Sequence, residues 1–166
     1  KLALLGPVLL LLLVVLVSQR ARIGEIRALD PVAEADLEAQ GLPALGELPP
    51  GVGVFWLGRS RPVGMHPDYE GRSLAHLAAP DFEAWGQRLA PTLREVVLLL
   101  SANVVLDTNA ALDLDHVARR LHEAGRRLWL VGLTPVQHAA LARVGALPVA
   151  GGEHVVADLA VLLERL

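Results

Sequence analysis

Asp107-Thr108-Asn109 is the stretch whose residue types most invite chemistry. It lies between an apolar segment, Asn103-Val-Val-Leu106, and a run of helical periodicity, so an acid and a hydroxyl meet where a helix must begin. A carboxylate there accepts from the free backbone N–H groups of the first turn, which makes Asp107 a natural N-cap with Thr108 as the first helical residue. The other reactive side chains form no constellation. The histidines are His66, His76, His116, His122, His138 and His154; no two stand at i and i+4, and His-Glu-x-x-His is absent. No metal and no other cofactor is expected. Cysteine is missing, which removes disulfides and thiolate sites. Gly51-Val-Gly53 and Gly151-Gly152 lack the strand–glycine–helix context that cradles phosphate, and Gly-x-Ser-x-Gly does not occur. Arg59, Arg61 and Arg72 flank a Gly/Pro-rich stretch and read as solvated loop. With the carboxylates scattered, the chain is read as a non-enzyme.

The composition bounds what surrounds that spot. The 166 residues suffice for one domain and an appendage, and the net charge of −3 comes from interspersed acids and bases. There is no basic stripe, so no nucleic acid partner is expected. Hydrophobic residues make up 53% of the chain, and the excess sits in Leu2 to Val17, LALLGPVLLLLLVVLV. Sixteen residues at a helical rise of 1.5 Å reach about 24 Å, short of a hydrocarbon core of about 30 Å. A buried helix would not be apolar on every face. A secretory leader needs a small-residue cleavage site, and Val15-Leu-Val-Ser-Gln-Arg20 offers a poor one. The chain opens on Lys1, so the expectation is the C-terminal part of a transmembrane helix over residues 1–19, its first turn upstream. Arg20, Arg22 and Arg27 follow the run, and basic flanks favour the cytoplasmic side.

The elements that must position Asp107 follow. Residues 20–47 read as a linker with a short strand at Ile23–Leu29. Residues 48–166 read as a domain expected to fold on its own. Val52–Leu57, β-branched and aromatic between Gly51 and Gly58, is a strand. Arg72–Leu77 is expected to return as the second arm of a hairpin. Pro80–Leu89 is a helix with Phe82, Trp85 and Leu89 on one face. Glu95–Leu100 is apolar after its first residue, the mark of a strand covered on both faces. The helix behind Asp107 runs to about residue 124, with Leu114, Val117, Leu121 and Ala124 inward and Asp115–Arg119 as an i, i+4 pair. Leu128–Val131 is a strand and Pro135–Val144 a helix. A short edge element is expected at 147–150, and a last helix over Val155–Leu166 with Leu159, Leu162, Leu163 and Leu166 inward. Strands alternating with amphipathic helices make the class α/β, a small sheet with helices mainly on one face.

The order of these pieces resembles the STAS domain family, shared by anti-sigma factor antagonists and SulP (solute carrier family 26) transporters. The resemblance rests on Val96–Leu100, then Asp107-Thr108-Asn109-Ala110, then Gly125-Arg-Arg-Leu-Trp-Leu-Val-Gly132 and Thr134-Pro135. Leu48-Pro-Pro-Gly-Val-Gly-Val-Phe55 looks like the first strand of the transporter version, and the leucine-rich run resembles a transporter's last helix. The long Arg59–Gly71 loop and Asn109, which stands where the family has a second hydroxyl residue, depart from the pattern. The resemblance implies the regulatory cytoplasmic domain of a secondary anion transporter of the sulfate, bicarbonate or dicarboxylate type. That transporter would sit in the cell inner membrane, with its own membrane domain as partner, and would be a homodimer. A further regulatory protein partner is also implied. The alternative is a membrane-anchored module like the anti-sigma antagonists. In those relatives the hydroxyl residue after the Asp is phosphorylated, and Thr108 takes that position, with Asp107 and Asn109 beside it.

Overall fold

The computed structural model describes residues 24–29, 48–58, 77–150 and 154–166. The expected membrane helix, the Arg59–Gly71 loop and most of the Arg72–Leu77 arm lie outside these residues. Among the described residues no helix is long and apolar enough to cross a membrane.

Four parallel strands and one antiparallel edge make the sheet. Its order is β1-β2-β4-β6-β7, from Glu25–Leu29, Val52–Gly58, Glu95–Leu100, Arg127–Val131 and Val155–Val156. β2, β4, β6 and β7 run parallel, and β1 pairs antiparallel with β2 from Glu25↔Gly58 to Leu29↔Val54. A two-stranded parallel patch, β3 (Leu77–Ala78) with β5 (Val104–Val105), completes the strands.

Period-two alternation sends each strand's side chains to two cores. Leu57, Val96, Leu98, Leu100, Leu128 and Leu130 pack with α1 (Phe82–Arg88), α2 (Thr108–Glu123) and α3 (Pro135–Arg143). Val54, Trp56, Val97, Leu99, Trp129 and Val131 pack on the other face with α5 (Leu159–Leu163). The helices therefore lie mainly on one face, as expected, and β4 is buried on both. α2 and α3 both end in the Schellman arrangement. Gly125 (φ 69°) and Gly145 (φ 63°) take the left-handed position, and Arg126 N–H reaches Leu121 O at 2.8 Å while Ala146 N–H reaches Leu141 O at 3.0 Å.

Several local expectations are corrected. β2 has β1 on one side and β4 on the other, which leaves it no side for a hairpin partner, and among the described residues Leu77–Ala78 pairs with β5 instead. Val155–Val156 is an edge strand against β6, as its two β-branched residues favour. The last helix starts only after Asp158, whose carboxylate accepts from Ala160 N–H, so Leu159 and Leu162 are buried while Leu163 and Leu166 are partly so. The 147–150 edge element is a helical turn, α4 (Leu147–Ala150). Ala124 is exposed, since it is the C-cap rather than a member of the inward face. Glu25–Leu29, read within the linker, is a full strand of the sheet.

Asp115 is more than half of a surface pair. Its carboxylate is buried, accepts from Arg119 Nε at 2.8 Å, and with its other oxygen accepts from Leu147 N–H at 2.8 Å, capping α4 from a different helix. The hydrogen bond and charge of Asp115 hold the exposed Arg119 guanidinium above its ordinary pKa. A raised basic group contributes stability below its unfolded pKa and loses it only in strong alkali, so Arg119 gives no pH dependence near neutrality. Asp115→Ala leaves the Leu147 N–H unpaired and is expected to lower unfolding stability by about 2–3 kcal/mol. Asp115→Asn keeps an acceptor for that N–H and is expected to lose clearly less. Equal losses in urea unfolding would show that the α4 cap is not what Asp115 supplies.

Candidate functional site

Because β2, β4, β6 and β7 are parallel, their carboxyl ends lie together, and helices α2 and α3 start there. In open α/β sheets this is the end at which connections and ligands meet. β4 leaves through Ser101, whose N–H donates to Leu57 O at 2.9 Å and whose hydroxyl donates to Asn103 Oδ1 at 2.6 Å. The chain then forms β5 and turns into α2.

Asp107 does what its type predicts. Its Oδ1 accepts from Ala110 N–H at 2.8 Å, with an extended backbone at φ −75° and ψ 178°. Asp107, Thr108 and Asn109 are all exposed, side by side on the first turn of α2. The structure brings these three together and sets no other ionisable group among them within hydrogen-bonding reach among the described residues. A modification of the Thr108 hydroxyl would meet solvent and the positive end of a sixteen-residue helix.

α3 begins beside it with a capping box. Gln137 N–H donates to Thr134 Oγ1 at 3.2 Å, and Thr134 N–H donates to Gln137 Oε1 at 2.9 Å. The Gln137 amide then reaches across. Its Nε2 donates to Ser101 O at 2.9 Å and to Val104 O at 2.8 Å, and the side chain is buried. Gln137 thus ties the start of α3 to the loop that delivers Asp107. The Thr134-Pro-Val-Gln137 spacing announces the cap in the sequence; the second role has no local signal.

The other singled-out side chains do not join this end. His116, His122 and His138 are exposed on separate helical positions, and His154 packs edge-on against Trp129 at 5.0 Å. His66, His76, Arg59, Arg61 and Arg72 lie outside the described residues. Among the described residues no three His, Asp or Glu side chains gather as a metal site. At the opposite end of the sheet, Glu95 accepts from Arg127 and from Trp129 Nε1, the latter at 2.7 Å, while the Arg127 guanidinium lies 5.9 Å over the same indole. That cluster satisfies a buried indole and fixes the β4–β6 register.

No protein-family model matches the chain, and no curated protein matches it. Solved structures do. A structure described as the overall structure of SLC26A9 matches with TM-score 0.58 and 15% identity over 92% of this chain and 26% of that one. A second, of the murine solute carrier 26 family member A9 anion transporter in the inward-facing state, matches with TM-score 0.51 and 14% identity over 93% of this chain and 24% of that one. The chain spans about a quarter of the length of these structures. At such identities the likeness is one of fold. The mixed α/β sheet with its helices is a STAS-like fold.

Proposed function

We propose that this chain is the cytoplasmic end of an SLC26/SulP-type secondary anion transporter. In this reading residues 1–19 close the last membrane span, and the linker and residues 48–166 form a regulatory STAS domain with no chemistry of its own. The protein is a homodimer in the inner membrane, its STAS domain facing the cytoplasm. The fold likeness over 92% of the chain carries the reading, and the leucine-rich run with its basic flank agrees with it. Thr108 is the regulatory position. A phosphate there adds about −1.5 to −2 charges beside Asp107; the α2 dipole favours it and Asp107 opposes it, so the surface becomes more negative without the fold changing.

Flux through the full-length gene product in liposomes tests both parts. Uptake of labelled sulfate, bicarbonate, chloride or dicarboxylate is expected, with Thr108→Glu and Thr108→Ala differing several-fold in rate. Equal rates would remove Thr108 as a switch. No uptake of any of these anions would leave the membrane-anchored signalling module as the better reading.

A further inference from the structure

We propose that Gln137 is the positioning residue of the Thr108 site: its buried amide makes the first turns of α2 and α3 open and close as one unit, so a change at Thr108 is felt at Val136. This inference rests on the reading of Thr108 as the regulatory position, and it adds where else on the surface that position is read.

The link consists of hydrogen bonds at both ends of one side chain. Gln137 is 2% exposed. Its Nε2 donates to Ser101 O at 2.9 Å and to Val104 O at 2.8 Å, and its Oε1 accepts from Thr134 N–H at 2.9 Å. Between Val104 and Asp107 the chain is held as well: Val104 and Val105 pair with Leu77 and Ala78, and Leu106 is buried in the main core. On the other side, Thr134 O accepts from His138 N–H at 2.9 Å, a bond that closes the first turn of α3. The bonds that start α3 and those that fix the approach to α2 therefore share a single amide. Opening one side alone would strand two carbonyls or the Thr134 N–H without a partner, and a buried network with that penalty opens together.

Charge plays no part in the link. Gln137 is neutral, and the coupling requires none of Arg59, Arg61 and Arg72, which lie outside the described residues. Beyond the amide stands Val136, 77% exposed on the first turn of α3. A modification that steadies the start of α2 also steadies the turn that presents this side chain, so a partner that reads Thr108 meets two helices. α2 has no acid in its first turn. Thr108→Glu places one there, where the helix dipole favours it, and is expected to slow local opening about two- to fivefold.

Amide hydrogen exchange by NMR on the full 166-residue chain in detergent micelles tests this. Ala111 N–H, which donates to Asp107 O, reports on α2; His138 N–H reports on α3; Leu162 N–H, which donates to Asp158 O on the other face, is the control. Thr108→Glu is expected to slow Ala111 and His138 by the same factor and to leave Leu162 unchanged. Gln137→Met keeps the length of the side chain and removes the amide. In that background Thr108→Glu is expected to slow Ala111 and no longer His138. A His138 rate that ignores Thr108→Glu in the parent, or that follows it equally in both backgrounds, would overturn the proposal. The Gln137 side-chain NH2 protons give a second reading should Gln137→Met not fold: they are expected to slow with Ala111, and unchanged exchange there would also overturn it. Coupled exchange together with equal anion flux for Thr108→Glu and Thr108→Ala would instead leave the link standing and sink the regulatory reading of Thr108.

Discussion

Gln137→Ala is expected to lower the stability of the domain by about 3–4 kcal/mol, read as a shift of the urea midpoint at unchanged slope. Truncation strands three backbone groups at once: Ser101 O, Val104 O and Thr134 N–H. Buried groups without partners cost about 1–3 kcal/mol each, and Thr134 N–H, at the edge of the site, recovers part of its loss from water. A shift below about 1 kcal/mol would show that the loop and α3 hold their places without this amide.

Gln137→Glu is the sharper form of the test, because it keeps the shape and removes the donor. A carboxylate there would face the two carbonyl oxygens that Nε2 now satisfies, in a buried position. Burial and those oxygens disfavour the charged form, so the introduced acid has a folded-state pKa above its unfolded value of about 4.3. The sign follows from linkage: below the unfolded pKa both states are protonated and the charge costs nothing. The cost grows as pH rises past that value and levels off above the folded pKa. The gap between Gln137→Glu and the parent protein is therefore expected to widen from pH 4 to pH 7, whereas Gln137→Ala differs from the parent by a constant amount. A pH-independent gap for Gln137→Glu would mean the carboxylate swings out to solvent.

The features legible in the sequence are those whose cause is local. Glu95-Val-Val-Leu-Leu-Leu100 is apolar over consecutive positions because both its faces are covered, and nothing distant is needed to see it. Asp107 caps α2 and Thr134-Pro135 opens α3 through atoms within three residues. What stayed hidden depends on partners far along the chain. Asp115 looks like a surface acid paired with Arg119 until Leu147, from another helix, is seen to donate to it. Glu95 looks like the polar start of a strand until Arg127 and Trp129 arrive from the neighbouring one. Val155–Val156 reads as helix because the leucine period from 159 onward extends back through it; only pairing with Leu130 and Val131 shows the strand. Of the candidate site, the three residues on α2 were legible and the amide that positions their loop was not.

β1 is the case with the largest consequence. The sequence reads residues 48–166 as folding on their own; the structure gives β2 a five-residue antiparallel partner from outside that span. Ile26 packs against the main core, and Gly24 N–H closes onto Ala78 O. Without β1 the whole of Val52-Gly-Val-Phe-Trp-Leu-Gly58 becomes an open edge, apolar and free of charge. Such an edge pairs with other chains unless something blunts it. The fragment 24–166 is expected to unfold cooperatively and stay dispersed, whereas 48–166 is expected to lose several kcal/mol or to aggregate in sedimentation. Since the cut also removes residues 30–47, Ile26→Asp in the longer fragment isolates the strand: it places a charge against the core and is expected to reproduce most of the loss. If 48–166 and Ile26→Asp both matched the longer fragment in urea midpoint and in sedimentation, β1 would be an appendage of the sheet rather than part of what holds it closed.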